Sequence, residues 1–324
     1  MTDEEILQLL KKHPSAFLSG EELSRRLKVS RTAIWKRIGH LRSLGYEIEA
    51  STRSGYRLIQ SPDILTPTEI KPLLKTKWLG KTIHYFNSIV STNSKAYELA
   101  SQGVKEGEVV IAESQTKGKG RLGRNWFSPP YLNLYLSAIL RPKIPPPQAP
   151  LITLMAAVAI AEAIEKFSGL QPLIKWPNDI LLNGRKMAGL LNEIKSETDR
   201  IHFVILGIGV NLNIAGKMFP KEIRAIATSL KEEMGQGVSR KIFLASFLQE
   251  LEKWYTVFIK QGEAIILKSW RERAQIKGRQ VRMVSFGETI TGRAIDVDSD
   301  GALIIETRRG ERKRVVAGDV EYRR

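Results

Sequence analysis

Residues 115 to 126, Gln-Thr-Lys-Gly-Lys-Gly-Arg-Leu-Gly-Arg-Asn-Trp, interleave Lys117, Lys119, Arg121 and Arg124 with Gly118, Gly120 and Gly123, and contain no acid. Such a segment can wrap an anion. Glycine permits positive φ and close main-chain approach to a ligand, while guanidinium and ammonium groups supply the countercharge. No Asp or Glu occurs between Glu113 and Glu162, so nothing nearby in sequence neutralises these cations. The glycines match G-x-G-x-x-G, but a dinucleotide fingerprint needs a helix directly after it and an acid about 20 residues on. Asn-Trp-Phe-Ser-Pro-Pro follows instead, and the acid is missing. The Walker A pattern fails too, because Gly123 precedes Arg124-Asn125 and not Lys-Ser/Thr. A solvated basic loop is the competing reading.

Other polar residues stand at strand ends or turns, where a packed core has no need of them. Lys175, Asn178 and Asp179 bracket Pro177, and the proline biases Trp176 towards an extended backbone. Asp179 suits magnesium on phosphate oxygens, which needs few protein carboxylates, and equally suits an Asx-turn opening a hairpin. Lys186 follows the Asn183-Gly184 turn, as a surface charge or as a cation projecting from a rigid hairpin. Ser91-Thr92-Asn93 offers clustered donors and acceptors or an ordinary helix N-cap. Gly207 and Gly209 admit a flat ligand against a strand, or mark a bulge.

The elements that must position these residues fall into three segments: 1–62, 66–272 and 273–324. In the first, Ile6, Leu7, Leu9 and Leu10 form a helix ending near His13-Pro14. Ser19 caps a second helix carrying Leu23 and Leu27, and Ser30 caps a third, Arg31 to Leu44, with Ile34, Ile38 and Leu41 on its buried face. Two alternating strands around Ser-Thr-Arg-Ser-Gly complete the order of a winged helix-turn-helix. From Leu23 to Tyr46 there are seven Lys or Arg and no acid. The third helix is therefore expected to present Arg31, Thr32, Trp35, Lys36 and Arg42 to a major groove, with Arg53 at the wing tip on the backbone. A protein-docking winged helix is the alternative. Symmetric readers of this kind bind as dimers.

Ser61-Pro-Asp-Ile-Leu-Thr-Pro reads as a linker. Beyond it, Leu132–Leu140 alternates as a strand, with Leu132, Leu134, Leu136, Ala138 and Leu140 sharing a face. Leu151 to Phe167 is an apolar helix closed by Gly169, and Leu173 to Trp176 is a short strand. Asn183-Gly184 joins a hairpin, Ile201 to Val210 is a further strand, and a helix near Ile242 to Phe258 closes the segment. The last segment shows short strands punctuated by Gly287, Gly292, Gly301 and Gly310, as in a small SH3-like β-barrel. The fold class is α+β, with a mixed-sheet α/β central domain.

Composition removes several chemistries. The 324 residues contain no cysteine, so thiolate nucleophiles, disulfides and Cys-type zinc sites are excluded. Four scattered histidines make no His-Glu-x-x-His, and Gly-x-Ser-x-Gly is absent, so zinc and serine hydrolase readings fall away. With 42% hydrophobic and 26% charged residues the chain reads as globular, and a net charge of +17 points to polyanionic partners. The longest apolar run, Leu151 to Ile164, is broken by Thr153 and Glu162, and the start is acidic where a signal peptide is basic. A cytoplasmic protein with no membrane partner is expected.

Taken in order, Ser-Thr-Asn, Gly-Lys-Gly-Arg-Leu-Gly-Arg-Asn-Trp, Lys-Trp-Pro-Asn-Asp, Lys186-Met-Ala-Gly-Leu-Leu and Gly-Ile-Gly-Val-Asn-Leu-Asn closely resemble the biotin protein ligases. With the N-terminal winged helix, the chain resembles the bifunctional, BirA-type biotin ligase and biotin operon repressors over all three segments. Val90, Lys119 and Leu122 depart from the family pattern, which often has an acid at the first position and arginines at the other two. The resemblance implies an ATP-dependent ligase that joins biotin to AMP, then transfers the biotinyl group to one lysine of a biotin carboxyl carrier protein. It also implies a biotin-responsive repressor acting as a homodimer on operator DNA, with ATP and Mg2+ as cofactors and biotin as substrate and corepressor precursor. Matching positions place Ser91, Thr92, Asn93, Gln115, Lys119, Gly120, Arg121, Lys186, Gly189, Gly207 and Gly209 on biotin. They place Arg121, Arg124, Trp126, Lys175, Asn178 and Asn211 on ATP, Asp179 on the metal, and Arg121 and Lys186 in catalysis. The glycine loop is expected to close over the adenylate and exclude water. A lipoate ligase on the same scaffold, or a biotin sensor without catalysis, are the alternatives.

Overall fold

The computed structural model describes residues 3–285 and 288–322, so Gly287 lies outside the described residues. The chain divides into two compact units, 1–72 and 73–324. In the first, α1 (Asp3–Lys12), α2 (Gly20–Leu27) and α3 (Arg31–Ser43) precede a hairpin of β1 (Glu47–Ser51) and β2 (Gly55–Gln60). Both expected caps form: Ser19 Oγ accepts from the Glu22 N–H and Ser30 Oγ from the Ala33 N–H. Each satisfies a donor that a helix start leaves unpaired. Ile6, Leu10, Leu23, Ile34, Ile38, Leu41 and Ile48 form one core. Thr66–Pro72, which the sequence places with the central segment, belongs to this unit. A short helix there, α4 (Pro67–Ile70), buries Glu69, whose carboxylate accepts from Lys11 Nζ at 2.5 Å and Tyr46 OH at 2.8 Å.

The second unit is built on a seven-stranded mixed sheet. Its elements in chain order are β3 (Ile83–Phe86), α5 (Thr92–Ser101), β4 (Val109–Ala112), β5 (Leu134–Leu140), α6 (Pro150–Ser168), β6 (Leu173–Lys175), β7 (Asp179–Leu182), β8 (Arg185–Ser196) and β9 (Ile201–Val210). Helices α7 (Leu230–Met234), α8 (Arg240–Gln261) and α9 (Glu263–Ala274) follow. The strand order is β3-β4-β5-β9-β8-β7-β6, with β3 and β4 parallel and every other neighbouring pair antiparallel.

Every residue of β5 is buried. One-face alternation therefore does not mean one face in water: Phe203 and Ile205 of β9 pack with Ile139 and with Ala96 and Ala100 of α5 on the second face. Along that face period two continues to Gly207 and Gly209, which is what carries the sheet from core into site. Pro146–Ser168 is, by length and composition, long and apolar enough to span a bilayer, beyond what the run from Leu151 suggested, yet most of it is buried inside the fold. Gly169 ends α6 at φ +73°, as its C′ position requires.

The sequence reading missed α4, β3, β4, α7 and α9. Strands of four residues are too short for alternation to show, and α9 starts directly after Gly262, where a single glycine separates it from α8. The C-terminal part has strands β10 (Gln280–Ser285), β11 (Glu288–Val297), β12 (Leu303–Thr307), β13 (Arg312–Val315) and β14 (Asp319–Tyr322). They pair antiparallel in the order β13-β12-β11-β10-β14. Trp176 Nε1 donates to the Gly301 carbonyl at 3.0 Å, so this tryptophan is a buried anchor between central sheet and C-terminal strands.

Candidate active site

The glycine-rich segment folds back as a small lobe over the sheet. Gly120 N–H donates to Arg124 O at 2.7 Å and Trp126 N–H to Gly118 O at 2.8 Å, while Lys119 and Asn125 form an antiparallel bridge. Leu122 and Gly123 take left-handed φ of 54° and 73° at the tip. Of the three loop glycines only Gly123 uses positive φ. Gly118 serves close approach, since a Cβ there falls 2.5 Å from the Trp126 carbonyl oxygen.

The acids missing nearby in sequence arrive from elsewhere in the fold. Lys119 Nζ lies 3.0 Å from Glu193 Oε1 on β8, and Arg124 pairs with Asp319 at the start of β14. Arg121 is half-buried and donates to Asn178 Oδ1 at 3.1 Å and to the Gly318 carbonyl at 3.3 Å. Burial draws its pKa below the ordinary arginine value, Asp319 and Asp179 push it back up, and Arg124 pulls it down.

Beneath the lobe lies a cavity of about 420 Å³, lined by Ser91, Thr92, Asn93, Gln115, Lys119, Gly120, Arg121, Arg124, Trp126, Lys175, Asn178, Asp179, Lys186, Gly189, Gly207, Gly209 and Asn211. Tertiary structure thus brings every residue expected at biotin, ATP or metal to one space. Its floor is a hydrogen-bonded band. Gln115 Oε1 accepts from the Thr92 N–H at 2.8 Å and from Thr92 Oγ1 at 3.1 Å, and Ser137 Oγ lies 2.9 Å from Thr92 Oγ1 and 2.6 Å from Asn93 Oδ1. Asn93 Nδ2 donates to Glu193 Oε2 at 2.8 Å. Ser91 occupies the N-cap position of α5 without a side-chain capping bond, and its buried hydroxyl has no partner. A buried, unpaired hydroxyl lining a cavity is a place for a ligand's polar atom.

Gly207 and Gly209 lie in regular register with β5 and β8, so neither marks a bulge. A Cβ at Gly207 falls 2.1 Å from Asn93 Oδ1, and one at Gly209 falls 2.5 Å from the Trp126 indole. The flat group against the strand at Gly209 is therefore the protein's own tryptophan, and the space at Gly207 admits the Asn93 amide. Lys186 Nζ is 2.6 Å from Asp179 Oδ1 and 5.4 Å from the centroid of the Trp126 ring. Its backbone is held on both sides: Lys186 N–H donates to Ile226 O at 2.7 Å and Thr228 N–H to Lys186 O at 2.9 Å. Asn211 is locked likewise, its Nδ2 on the Thr228 carbonyl at 3.1 Å.

Among the described residues no group of three or more His, Cys, Asp or Glu side chains is placed to hold a metal ion. Asp179, the carboxylate suited to magnesium by sequence, pairs with Lys186, and an ion carried on substrate phosphates needs only one or two such carboxylates. These residues do not build a resident cation cage.

Residues that sequence reasoning passed over are Ser128, whose Oγ accepts from Gln115 Nε2 at 3.1 Å, together with Ser137, Glu193, Gly318 and Asp319. Ser137 and Glu193 carry a weak signal, being polar residues within strands at alternate positions. Asp319 carries none, because nothing local relates β14 to a loop almost 200 residues earlier in the chain.

In the N-terminal unit, Arg31, Thr32, Trp35 and Lys36 are exposed on α3, opposite Ile34, Ile38 and Leu41, and Arg53 is exposed in the β1–β2 turn. Trp35 is 66% exposed. Arg42 is exposed as well and in addition braces the helix. Its Nε and Nη2 donate to the Ile48 carbonyl at 3.0 and 2.6 Å, so it staples α3 to β1.

Three family models match the chain: the HTH domain over residues 3–57, the Biotin/lipoate A/B protein ligase family over 85–211, and the Biotin protein ligase C terminal domain over 277–323. The chain is 41% identical over 317 residues to the Bifunctional ligase/repressor BirA of Bacillus spizizenii, covering 98% of this chain and 97% of that protein. It is 31% identical to the protein of the same name from Escherichia coli, over 90% and 88% of the two chains. The solved biotin protein ligase from Aquifex aeolicus in complex with biotin and ATP superposes with a TM-score of 0.65 at 28% identity, over 75% of this chain and 99% of that one. With identity maintained across winged helix, ligase sheet and C-terminal strands, the chain belongs to the family of bifunctional BirA ligase/repressors.

Proposed function

We propose that the protein activates biotin with ATP to biotinyl-5′-AMP and transfers the biotinyl group to a lysine of a biotin carboxyl carrier protein. The observation that carries this reading is the cavity in which Arg121, Lys186 and the unpaired Ser91 hydroxyl meet beneath the glycine lobe. In the first step a biotin carboxylate oxygen attacks the α-phosphorus, a P–O acyl phosphate bond forms, and the bond to the β-phosphate breaks to release pyrophosphate. Both reactants are anions, so the barrier is chiefly electrostatic. Fixed cations aimed at the meeting point lower it, and Arg121 and Lys186 fill that role, with Arg124 on the phosphates. No proton needs to move, because a carboxylate is already ionised at neutral pH.

Ser91, Thr92, Asn93, Gln115, Lys119, Gly120, Gly189, Gly207 and Gly209 are assigned to biotin. Trp126, Lys175, Asn178 and Asn211 are assigned to the nucleotide. In the second step the acceptor amine attacks the acyl carbon, an amide forms, and AMP leaves. The mixed anhydride is sensitive to water, and the lobe's role is to shield it until the amine arrives. The N-terminal unit supports a second activity: Arg31, Thr32, Trp35, Lys36 and Arg53 read operator DNA as part of a homodimer in the cytoplasm, making the chain a biotin-responsive repressor.

Incubation with biotin, ATP and a carrier domain tests the ligase reading by mass measurement of the carrier. A mass increase of one biotinyl group per carrier domain is expected. An unmodified carrier, or pyrophosphate exchange driven by lipoate and not biotin, rejects it.

A further inference from the structure

Glu193 joins the floor of the cavity to its cover. It lies on β8 opposite Ile205, on the face that continues through Leu191 and Gly189 into the site. One carboxylate oxygen, Oε2, accepts from Asn93 Nδ2 at 2.8 Å; the other, Oε1, lies 3.0 Å from Lys119 Nζ. Asn93 is buried in the space that Gly207 leaves, so that bond has little freedom. Lys119 stands at the neck of the lobe, where it bridges Asn125. One acid therefore touches the floor of the cavity through one oxygen and the base of the lobe through the other.

We propose that Glu193 is a positioning residue of the ligase reaction: it holds the neck of the glycine lobe shut through Lys119 while keeping Asn93 oriented in the biotin site. The inference rests on the ligase reading and deepens it. Removing the charge while retaining an acceptor for Asn93 separates the two tasks. Glu193→Gln is expected to raise escape of free biotinyl-AMP, with no acceptor present, by about twofold to fivefold, the range of a partly exposed ion pair. Its KM for biotin stays near that of the unaltered protein. Glu193→Ala, which also frees Asn93, raises both.

The full-length protein is assayed for biotin-dependent ATP–pyrophosphate exchange, for adenylate retained after rapid gel filtration, and for the rate of trypsin cutting at Arg121 and Arg124 with biotin bound. Lys119→Gln and the double variant complete the set. Raised leakage and faster cutting in Glu193→Gln, with no further rise when it is added to Lys119→Gln, support the coupling. Leakage factors that multiply, or cutting and retention unchanged in Glu193→Gln, overturn it. Absence of exchange in the unaltered protein instead removes the ligase reading on which it stands.

Discussion

Two acid-free basic stretches, 23–46 and 115–126, start from the same sequence signature and finish differently: in the first Arg26 and Arg37 pair with Glu22 and Asp3 while Arg31 and Lys36 stay on the surface. On α3 the cations Arg31 and Lys36 point outward beside an exposed Trp35, while the apolar residues of the helix face the core. In the glycine lobe, Lys119, Arg121 and Arg124 are met by Glu193, Asn178 and Asp319 from distant parts of the chain. Helical periodicity forces the first outcome, because a helix that buries one face must expose the other. Nothing local forces the second. A glycine-rich segment has no preferred face, so its charges are disposed by whatever strands fold against it. A basic run on a helix thus reads as a surface for a large polyanion, and one on a glycine lobe as a site for a small one.

The largest effect expected from this contrast is at Lys186. Lys186→Gln lowers the rate of biotin-dependent ATP–pyrophosphate exchange by about a hundredfold or more, the usual loss when one fixed electrostatic stabiliser is removed. Near-normal exchange in this variant would show that the inward cluster binds without catalysing.

Gly209→Val follows. Its side chain must displace the Trp126 indole, and overpacking of this kind weakens biotin and nucleotide binding by about tenfold to a hundredfold in calorimetry. Normal affinity there means that Trp126 leaves the strand without cost.

On the outward stretch, Arg31→Ala or Lys36→Ala lowers the slope of log affinity for operator DNA against log salt by about one each, read by fluorescence anisotropy. Lys119→Gln leaves that slope alone; a changed slope erases the distinction between the two stretches.

The smallest effect is at the cap of α3. Ser30→Ala destabilises the helix by about 1 kcal/mol, seen as faster amide exchange in α3 with unaltered ligation.

Legibility of the fold followed the range of the interactions. The three N-terminal helices, their Ser19 and Ser30 caps, the Asn183-Gly184 turn and the β9 strand were readable because each is fixed by residues within one or two turns of chain. Strands β3 and β4 were not, since four residues of uniform burial, half-buried in β3 and buried in β4, have no period to display. Ser91-Thr92-Asn93 shows both sides of the limit. Its place at the start of a helix was legible, but that Ser91 spends no hydrogen bond on the cap and lines a cavity instead depends on β5, β8 and the lobe. Arg42 shows the same limit: its exposed place on α3 was legible, but its bond to the Ile48 carbonyl of β1 was not.

By itself the sequence determined the three-part α+β plan, the absence of thiol chemistry and the concentration of positive charge in two stretches, because composition and short-range periodicity are properties of the chain. Only the tertiary structure decided which acids answer which cations. Glu193 and Asp319 reach the lobe across 74 and 195 residues of sequence separation. Coulomb energy depends on distance in space, and the sheet sets that distance.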